Sequence, residues 1–332
     1  MPITRSIAIS LCLFIIGLMT GCNPPTSGST PGTPQDRKLR IVTTTGMVTD
    51  IVRRVVGTHA EVTGMIDAGG DPHIFKPKVS HVKQLSDADV VFYSGLMLEG
   101  RMGETFTQLQ RSGKPVFAVT ESLDKDYLRS PPDFAGHYDP HVWMDVKAWS
   151  RCVEHVAESM AKVDVPHADE YLANAHAYQK ELAQLDLYVK TSIRSIPESQ
   201  RVLVTAHDAF EYFSSAYGIE VKSVQGVTTE SEAGVQDVNR LVDFLVERKL
   251  PAIFVESSVN QKNIEAVIEG AKSRGVIVQI GGQLFSDAMG PEGTYEGTYI
   301  GMIDHNATLI ARALGGEANE KGMAGKLGGA KK

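Results

Sequence analysis

The sequence is poor in cysteine and has no excess of positive charge. Three cysteines in 332 residues exclude a framework of disulfides. Lysine and arginine number 33 against 40 aspartates and glutamates, which gives a formal net charge of −7. That balance excludes nucleic acid and an anionic membrane surface as electrostatic partners.

The N-terminus lacks an apolar run long enough to cross a bilayer. Ile7–Met19 spans only 13 residues, and Arg5 precedes it, which is typical of a secretory signal peptide over residues 1–21. Gly21-Cys22 resembles a bacterial lipobox, so Cys22 is a candidate lipidated N-terminus; the alternative is an ordinary cleaved signal followed by a chance cysteine. Residues 22–38, rich in Pro, Gly and Ser, then form a lipid-anchored flexible tether. The mature protein is expected on the extracytoplasmic face of the cell membrane or in the periplasm.

The rest of the chain has an ordinary globular composition. Hydrophobic residues make up 42% and charged residues 22%, which excludes wholesale disorder. From Leu39, short β-rich runs alternate with amphipathic stretches, a pattern that predicts an α/β fold of mainly parallel sheets flanked by helices. Strands are predicted at residues 40–44, 60–66, 88–93, 115–119, 201–205, 252–256 and 276–280. Helices are predicted at residues 47–56, 80–86, 208–217, 235–248, 260–274 and 299–313.

One long helix interrupts this alternation. Pro166 stands where a helix begins, and apolar residues recur at spacings of three and four from Tyr171 to Ile196. At 1.5 Å per residue, residues 167–195 form a rigid helix of about 43 Å, long enough to join two lobes. The alternative is a long surface helix inside one domain. The predicted domains are an N-terminal lobe at 39–165, the connecting helix at 166–196, a C-terminal lobe at 197–314 and a flexible tail at 315–332.

Three histidines and one aspartate are candidate metal ligands. The tripeptide Asp-Pro-His occurs twice, ending at His73 and at His141, and proline fixes the backbone so that the imidazole keeps a set direction. His207 follows a predicted strand and Asp287 follows the last one, where open α/β sheets bind their ligands. Each half of the chain therefore offers two ligands to a cleft between lobes.

Other side chains have weaker indications of a role near this cleft. Glu256 ends a predicted strand and is a candidate to support a ligand. Glu99 and Arg101 are candidates to pair with each other, and His137 is a candidate auxiliary ligand because it stands four residues before His141. Metal-bound histidine normally donates its other N–H to a carboxylate or a carbonyl.

Five segments, in one consistent order between Leu39 and Ala313, resemble a known family. They are Asp-Pro-His-Ile-Phe-Lys-Pro (71–77), Asp-Val-Val-Phe-Tyr-Ser-Gly-Leu-Met-Leu-Glu-Gly (89–100), Asp-Pro-His-Val-Trp-Met-Asp (139–145), Thr-Ala-His-Asp-Ala-Phe-Glu-Tyr-Phe (205–213) and Gly-Gly-Gln-Leu-Phe-Ser-Asp-Ala-Met-Gly (281–290). The chain is similar to the metal-binding lipoproteins of ABC importers, the TroA-like (cluster A-I) solute-binding proteins. The resemblance implies two α/β lobes joined by one long helix, with one divalent transition metal held between them.

Carried over position by position, the resemblance implies His73, His141, His207 and Asp287 as ligands of Zn²⁺ or Mn²⁺, one ion per chain. The expected function is capture of this ion by a monomer and its delivery to an ABC permease in the cytoplasmic membrane. His207 favours zinc, because manganese-biased relatives tend to carry Glu there. The stretch Ser122–Asp139 lacks the His-rich loop that zinc-specific relatives often carry. These two cues conflict, and together they are typical of family members that accept both metals.

Two other functions are alternatives to transport. A metal-dependent hydrolase needs an open coordination position for an activated water, and four protein ligands leave no obvious one, so the chain is predicted not to be an enzyme. A surface adhesin is the third reading, since parts of this family carry that name. No specific adhesive patch stands out in the sequence.

Overall fold

The computed structural model describes residues 37–134 and 136–328, and from Lys38 onward the chain forms one compact unit. The predicted signal peptide, Cys22 and nearly all of the tether lie outside the described residues. The strands are β1 Leu39–Thr43, β2 Ala60–Gly64, β3 Val90–Tyr93, β4 Val116–Ala118, β5 Val202–Thr205, β6 Glu220–Ser223, β7 Ala252–Glu256 and β8 Gln279–Leu284. The helices are α1 Gly46–Val56, α2 Val79–Asp87, α3 Gly103–Arg111, α4 Val146–Val163, α5 Ala168–Arg194, α6 Glu211–Tyr217, α7 Val235–Arg248, α8 Lys262–Ser273 and α9 Tyr299–Ala313.

The described strands form two groups that define two lobes. In the N-terminal lobe, β2-β1-β3-β4 form one parallel sheet, with α1 to α4 beside it. In the C-terminal lobe, β5 pairs with β6 and β7 pairs with β8, all in parallel, and β5 contacts β7. Central parallel strands are buried on both faces and are therefore rich in consecutive apolar residues, as are β3 and the first four residues of β7.

Each sheet has one face toward a core that the lobes share. Successive strand residues point to opposite faces, so Ile41 and Phe254 enter the shared core while their neighbours Val42 and Val255 pack into separate clusters within their own lobes. Side chains from α1, α4, α5 and α9 complete the shared core. The two lobes are therefore joined by a continuous apolar layer as well as by the chain.

The long connector is α5. A 3-10 turn over Val165–His167 contains Pro166, and the helix then runs unbroken for 27 residues. It contacts α1 and α4 of the N-terminal lobe and α6 and α9 of the C-terminal lobe. The predicted fold class, two α/β lobes joined by one long helix, is confirmed.

Several local predictions differ from the structure. The sequence pattern predicts no helix at α3 or α4 and no strand at β6, and it predicts the last strand at 276–280 instead of Gln279–Leu284. Residues 315–328, assigned to a flexible tail, form turns in which Leu327 is buried and the N–H of Met323 donates to Asp304. No helix among the described residues is both long and apolar enough to cross a membrane.

Candidate metal centre

The four predicted side chains lie together between the lobes. In the N-terminal lobe, His73 lies after β2, and His141 lies directly before a 3-10 turn that leads into α4. In the C-terminal lobe, His207 lies two residues after β5, and Asp287 lies three residues after β8. One nitrogen or oxygen of each lies within 4.8 Å of the others. All four residues are at most 5% exposed.

The Asp287 carboxylate faces the Nε2 atoms of the three imidazoles. Its Oδ1 lies 3.2 Å from His141 Nε2, and its Oδ2 lies 3.2 Å from His207 Nε2 and 3.7 Å from His73 Nε2. The Nε2 atoms of His73 and His141 are 3.3 Å apart. Three ring nitrogens and a carboxylate thus converge on one small volume.

The aspartate of each Asp-Pro-His tripeptide holds the turn that presents the histidine. Asp139 Oδ1 accepts the backbone N–H of His141 at 3.0 Å and lies 2.7 Å from its Nδ1, so it also orients the ring. Asp71 Oδ1 accepts the backbone N–H of His73 at 2.9 Å. Its other oxygen accepts the hydroxyl of Thr229, from the C-terminal lobe, at 2.6 Å. Asp71 therefore links the first ligand turn to the opposite lobe.

The carboxylate of Glu256, the last residue of β7, contacts both the backbone and the ring of His207. Its Oε1 accepts the backbone N–H groups of Ala206 and His207 at 2.8 and 2.9 Å, and its Oε2 lies 2.5 Å from His207 Nδ1. His141 and His207 thus both present Nε2 to the centre and Nδ1 to a buried carboxylate. This is the usual arrangement around metal-bound histidines.

Burial dominates the pKa of His73, whereas neighbouring histidines dominate the pKa of Asp287. Burial lowers the pKa of His73 to about 3, so this imidazole is neutral and its ring can donate an electron pair. Burial acts to raise the pKa of Asp287, but His207 and His141 outweigh it and hold that pKa well below its usual range. Asp287 is therefore an ionised carboxylate buried among imidazoles.

Carboxylates raise the proton affinity of the other two histidines. Burial acts to lower the pKa of His141, but Asp139 and Asp287 raise it to about 9. At His207 burial is likewise outweighed, and Glu256 and Asp287 raise its pKa well above the usual value. The acidic surroundings thus favour positive charge at this centre, whether it is carried by protons or by a metal.

Unpaired buried atoms fit a cation at the centre. Both oxygens of Asp287 and the Nε2 of His207 are buried without a partner in hydrogen-bond geometry. Such atoms are costly in a protein interior unless they are paired or coordinate a metal. Three imidazoles and one carboxylate suit Zn²⁺, and bidentate binding by the carboxylate would also admit Mn²⁺.

The weaker indications from the sequence had mixed outcomes. Glu256 does contact a predicted ligand, His207. The Glu99–Arg101 pair was wrong: Glu99 is buried and accepts from Thr44, whereas Arg101 pairs with Glu230. His137 is exposed and lies outside the four-residue group.

Asp71 and Asp139 were missed as supports of their histidines. The signal was present, because an aspartate two residues before the histidine can accept that histidine's backbone N–H.

Comparisons with known proteins agree with this geometry. Residues 41–313 match the family model described as "ZnuA: Zinc-uptake complex component A periplasmic". The chain is 44% identical over 306 residues to the zinc-binding protein TroA of Treponema pallidum, covering 92% of this chain and 98% of that protein. It is 43% identical over 302 residues to the manganese-binding lipoprotein MntA of Bacillus subtilis, covering 91% and 97%. The solved structure of the periplasmic zinc-binding protein TroA from Treponema pallidum matches with a TM-score of 0.81 at 46% identity, covering 84% of this chain and 99% of that one.

Proposed function

This chain belongs to the zinc-uptake component A family of metal-binding solute-binding proteins, and from that premise we propose that it captures one divalent transition metal for an ABC importer. The ligands are His73, His141, His207 and Asp287. The main observation in support is that one ligand atom from each of the four residues lies within 4.8 Å of the others and that all four residues are buried. The ion is the cargo, and the two lobes supply two ligands each.

The proposed cargo is Zn²⁺ or Mn²⁺. Relatives of nearly equal similarity are named for zinc and for manganese, so overall likeness does not choose between them. The donor set of three imidazoles and one carboxylate favours Zn²⁺ in equilibrium affinity, in line with the Irving–Williams order. Which metal is transported depends also on the metal available and on the permease.

Members of this family are substrate-binding proteins of transport systems and not enzymes. Such proteins work with a membrane permease, and we propose that this chain delivers its ion to one as a monomer. We further propose that Cys22 carries a lipid and that residues 22–38 tether the lobes to the membrane, as the lipobox-like sequence indicates.

The test is equilibrium metal binding by the purified, chelator-treated chain. We expect one Zn²⁺ per chain by calorimetry. Mn²⁺ should occupy the same site in competition. His141→Ala and Asp287→Asn should each weaken Zn²⁺ binding by at least about two orders of magnitude, because each removes a ligand from a buried set.

His305→Ala is the matched control, because His305 contacts the carbonyl of Gln283 and is not among the four grouped residues. This variant should bind Zn²⁺ like the unsubstituted chain. Unchanged binding in both ligand variants would refute the proposed site.

A further inference from the structure

Each histidine ligand is held by a nearby carboxylate, whereas the fourth ligand is supported in another way. Asp71, Asp139 and Glu256 each accept the backbone N–H of a histidine ligand. Both carboxylate oxygens of Asp287 are without a hydrogen-bond partner among the described residues, and the three imidazole Nε2 atoms face them at 3.2 to 3.7 Å. The backbone that carries Asp287 must therefore determine where its carboxylate points.

Asn306 of α9 binds the backbone of Phe285, two residues before this ligand. Its Oδ1 accepts the N–H of Phe285 at 2.9 Å, and its Nδ2 donates to the carbonyl of the same residue at 2.6 Å. Strand β8 pairs with β7 as far as Leu284, so one amide side chain satisfies the two backbone groups that follow the last strand pair. Asn306 has no exposed surface, so water does not compete for these bonds.

Trp143 holds the next residue from the opposite lobe. Its indole Nε1 donates to the carbonyl of Ser286 at 2.9 Å, and the hydroxyl of Ser286 lies 3.0 Å from that of Ser258. Trp143 is itself fixed, because its carbonyl accepts the Tyr299 hydroxyl at 2.7 Å. Residues 285–287, which we call the ligand segment, are thus held by α9 on one side and by the N-terminal lobe on the other.

The groups that hold the ligand segment are neutral, unlike those that hold the histidines. A carboxylate beside a ligating imidazole orients the ring and raises its basicity, which favours metal binding. A carboxylate beside Asp287 would instead repel an ionised ligand. The amide of Asn306 and the indole of Trp143 supply hydrogen bonds without adding negative charge. The choice of supporting group thus follows the charge of the ligand that it supports.

We propose that Asn306 and Trp143 are positioning residues for the fourth metal ligand. They fix the backbone of the ligand segment, so that the Asp287 carboxylate faces the imidazoles before the ion arrives. A carboxylate that is held in advance loses little freedom when it binds, and this preorganisation strengthens binding. The inference rests on the proposed function and deepens it, because it names two residues outside the ligand set that determine the metal affinity.

A double-mutant cycle in Zn²⁺ affinity separates positioning from general stability. Asn306→Ala should weaken Zn²⁺ binding by about 10- to 100-fold, the range usual for groups that support a ligand. In an Asp287→Ala background no carboxylate remains to be positioned, so the same substitution should change the dissociation constant by no more than about twofold. Competition with a chelator would measure all four constants. An equal loss in both backgrounds would overturn the inference.

Trp143→Phe gives a second variant, which stays informative if Asn306→Ala does not fold. It removes the indole N–H but keeps an aromatic ring, and it should weaken Zn²⁺ binding by about three- to tenfold, as the loss of one hydrogen bond would. Trp149→Phe is the matched control, because Trp149 is also fully buried and its Nε1 has no partner among the described residues. This control should bind Zn²⁺ like the unsubstituted chain. Equal weakening in both variants would contradict the role of Trp143.

Thr308→Val is the control for Asn306 on the same helix. Thr308 is buried, and its hydroxyl lies 3.1 Å from Asp304 Oδ1 and 2.7 Å from the Tyr188 hydroxyl, so its removal weakens α9 without touching the ligand segment. We expect a lower melting temperature with unchanged Zn²⁺ affinity. A loss of affinity in Thr308→Val as large as that in Asn306→Ala would mean that any weakening of α9 impairs the site, and would contradict the specific role of Asn306.

Co²⁺ reports on the coordination itself, because its visible absorption changes when a ligand is lost or displaced. The Co²⁺ spectrum of Asn306→Ala should shift toward that of Asp287→Ala, whereas Thr308→Val should give the spectrum of the unsubstituted chain. An unchanged spectrum and unchanged affinity in Asn306→Ala would overturn the inference. Failure of the unsubstituted chain to bind Zn²⁺ would instead refute the proposed function.

Discussion

At the scale of single residues, the proton on His141 competes with the metal. Asp139 and Asp287 raise the pKa of His141 to about 9, so below that pH a metal must displace a proton from its Nε2. We therefore expect Zn²⁺ affinity to fall as pH falls from about 9, by about tenfold per pH unit for each proton displaced. Competition titrations between about pH 8 and pH 5 would measure this slope, and constant affinity across that range would contradict the four-ligand site.

Imidazoles with ordinary pKa values would give a different pH range. Three unperturbed imidazoles predict that affinity falls steeply only below about pH 6. The difference comes from Asp139 and Asp287, which together raise the pKa of His141. The local sequence does not mark the 2.7 Å contact of Asp139 with His141 Nδ1. Asp139→Asn should accordingly move the fall to lower pH and weaken binding by about 10- to 100-fold.

The third histidine gives a prediction about metal preference. His207→Glu replaces a nitrogen ligand by oxygen, which should lower the preference for Zn²⁺ over Mn²⁺ by about one order of magnitude. The new carboxylate would lie beside Glu256, which contacts His207 at 2.5 Å, so the double variant His207→Glu/Glu256→Gln avoids like-charge repulsion. Competition titration of both metals would measure the ratio. An unchanged ratio in the single and double variants would contradict this prediction.

Local sequence marks the four grouped residues, whereas it marks Glu256 as a support without indicating that His207 is the residue it contacts. His73 and His141 stand in a repeated tripeptide, and His207 and Asp287 follow strands, so local sequence marked all four positions. The carboxylate of Glu256 lies 49 residues along the chain from the backbone N–H of His207 that it accepts. Only the pairing of strands brings such groups together, and a single sequence does not specify which polar groups will meet.

At the scale of elements, regular amphipathic helices were the most predictable. The bounds of α7, α9 and β7 coincide with those predicted from the sequence. Helix α4 was missed although its signal is present, with Asp145 capping its first turn and apolar residues at helical spacing. These are Val146, Trp149, Val153, Val156 and Met160.

The last strand shows where periodicity misleads. The apolar run 276–280 predicts the strand, but β8 pairs with β7 from Gln279 to Leu284, and Gly281 lies at an irregularity between the pairs Ile253–Ile280 and Phe254–Gly282. A Cβ at Gly281 would lie 2.8 Å from the ring of Phe254, so a strand glycine marks close packing there. The need for that glycine arises from the neighbouring strand and was not visible in the local pattern.

Asp304 is a buried junction between α9 and the segments around it. Its carboxylate accepts the Tyr295 hydroxyl at 2.9 Å, the Thr308 hydroxyl at 3.1 Å and the N–H of Met323 at 2.9 Å. Asp304→Ala leaves these donors unpaired, so we expect a loss of about 2–3 kcal/mol in the free energy of unfolding. Urea denaturation would measure it.

Asp243→Ala is the control for that substitution. Asp243 pairs with Arg274 at the surface, and its side chain is 64% exposed. This variant should change stability by no more than about 0.5 kcal/mol. An equal loss in both variants would contradict the assignment of Asp304 as a structural junction.

At the scale of the whole molecule, the shared core limits how far the lobes can separate. Ile41 of the first sheet and Phe254 of the second belong to one buried apolar cluster, and α5 contacts helices of both lobes. A wide hinge opening would expose this cluster to water, at about 25 cal/mol for each Å² of apolar surface. Polar contacts add to the restraint, since Trp143 Nε1 donates to the carbonyl of Ser286 in the opposite lobe at 2.9 Å.

We therefore expect only small lobe movements when metal binds. A compact chain of this size has a radius of gyration of about 19 Å, and metal binding should change it by less than about 1 Å. Small-angle scattering of the chelator-treated and Zn²⁺-loaded chain would measure this change. A larger contraction would mean that the shared core separates on opening, and α5 would then be a hinge instead of a stiff connector. In that event Trp143→Phe, which removes the bond to Ser286, should increase the difference between the two states.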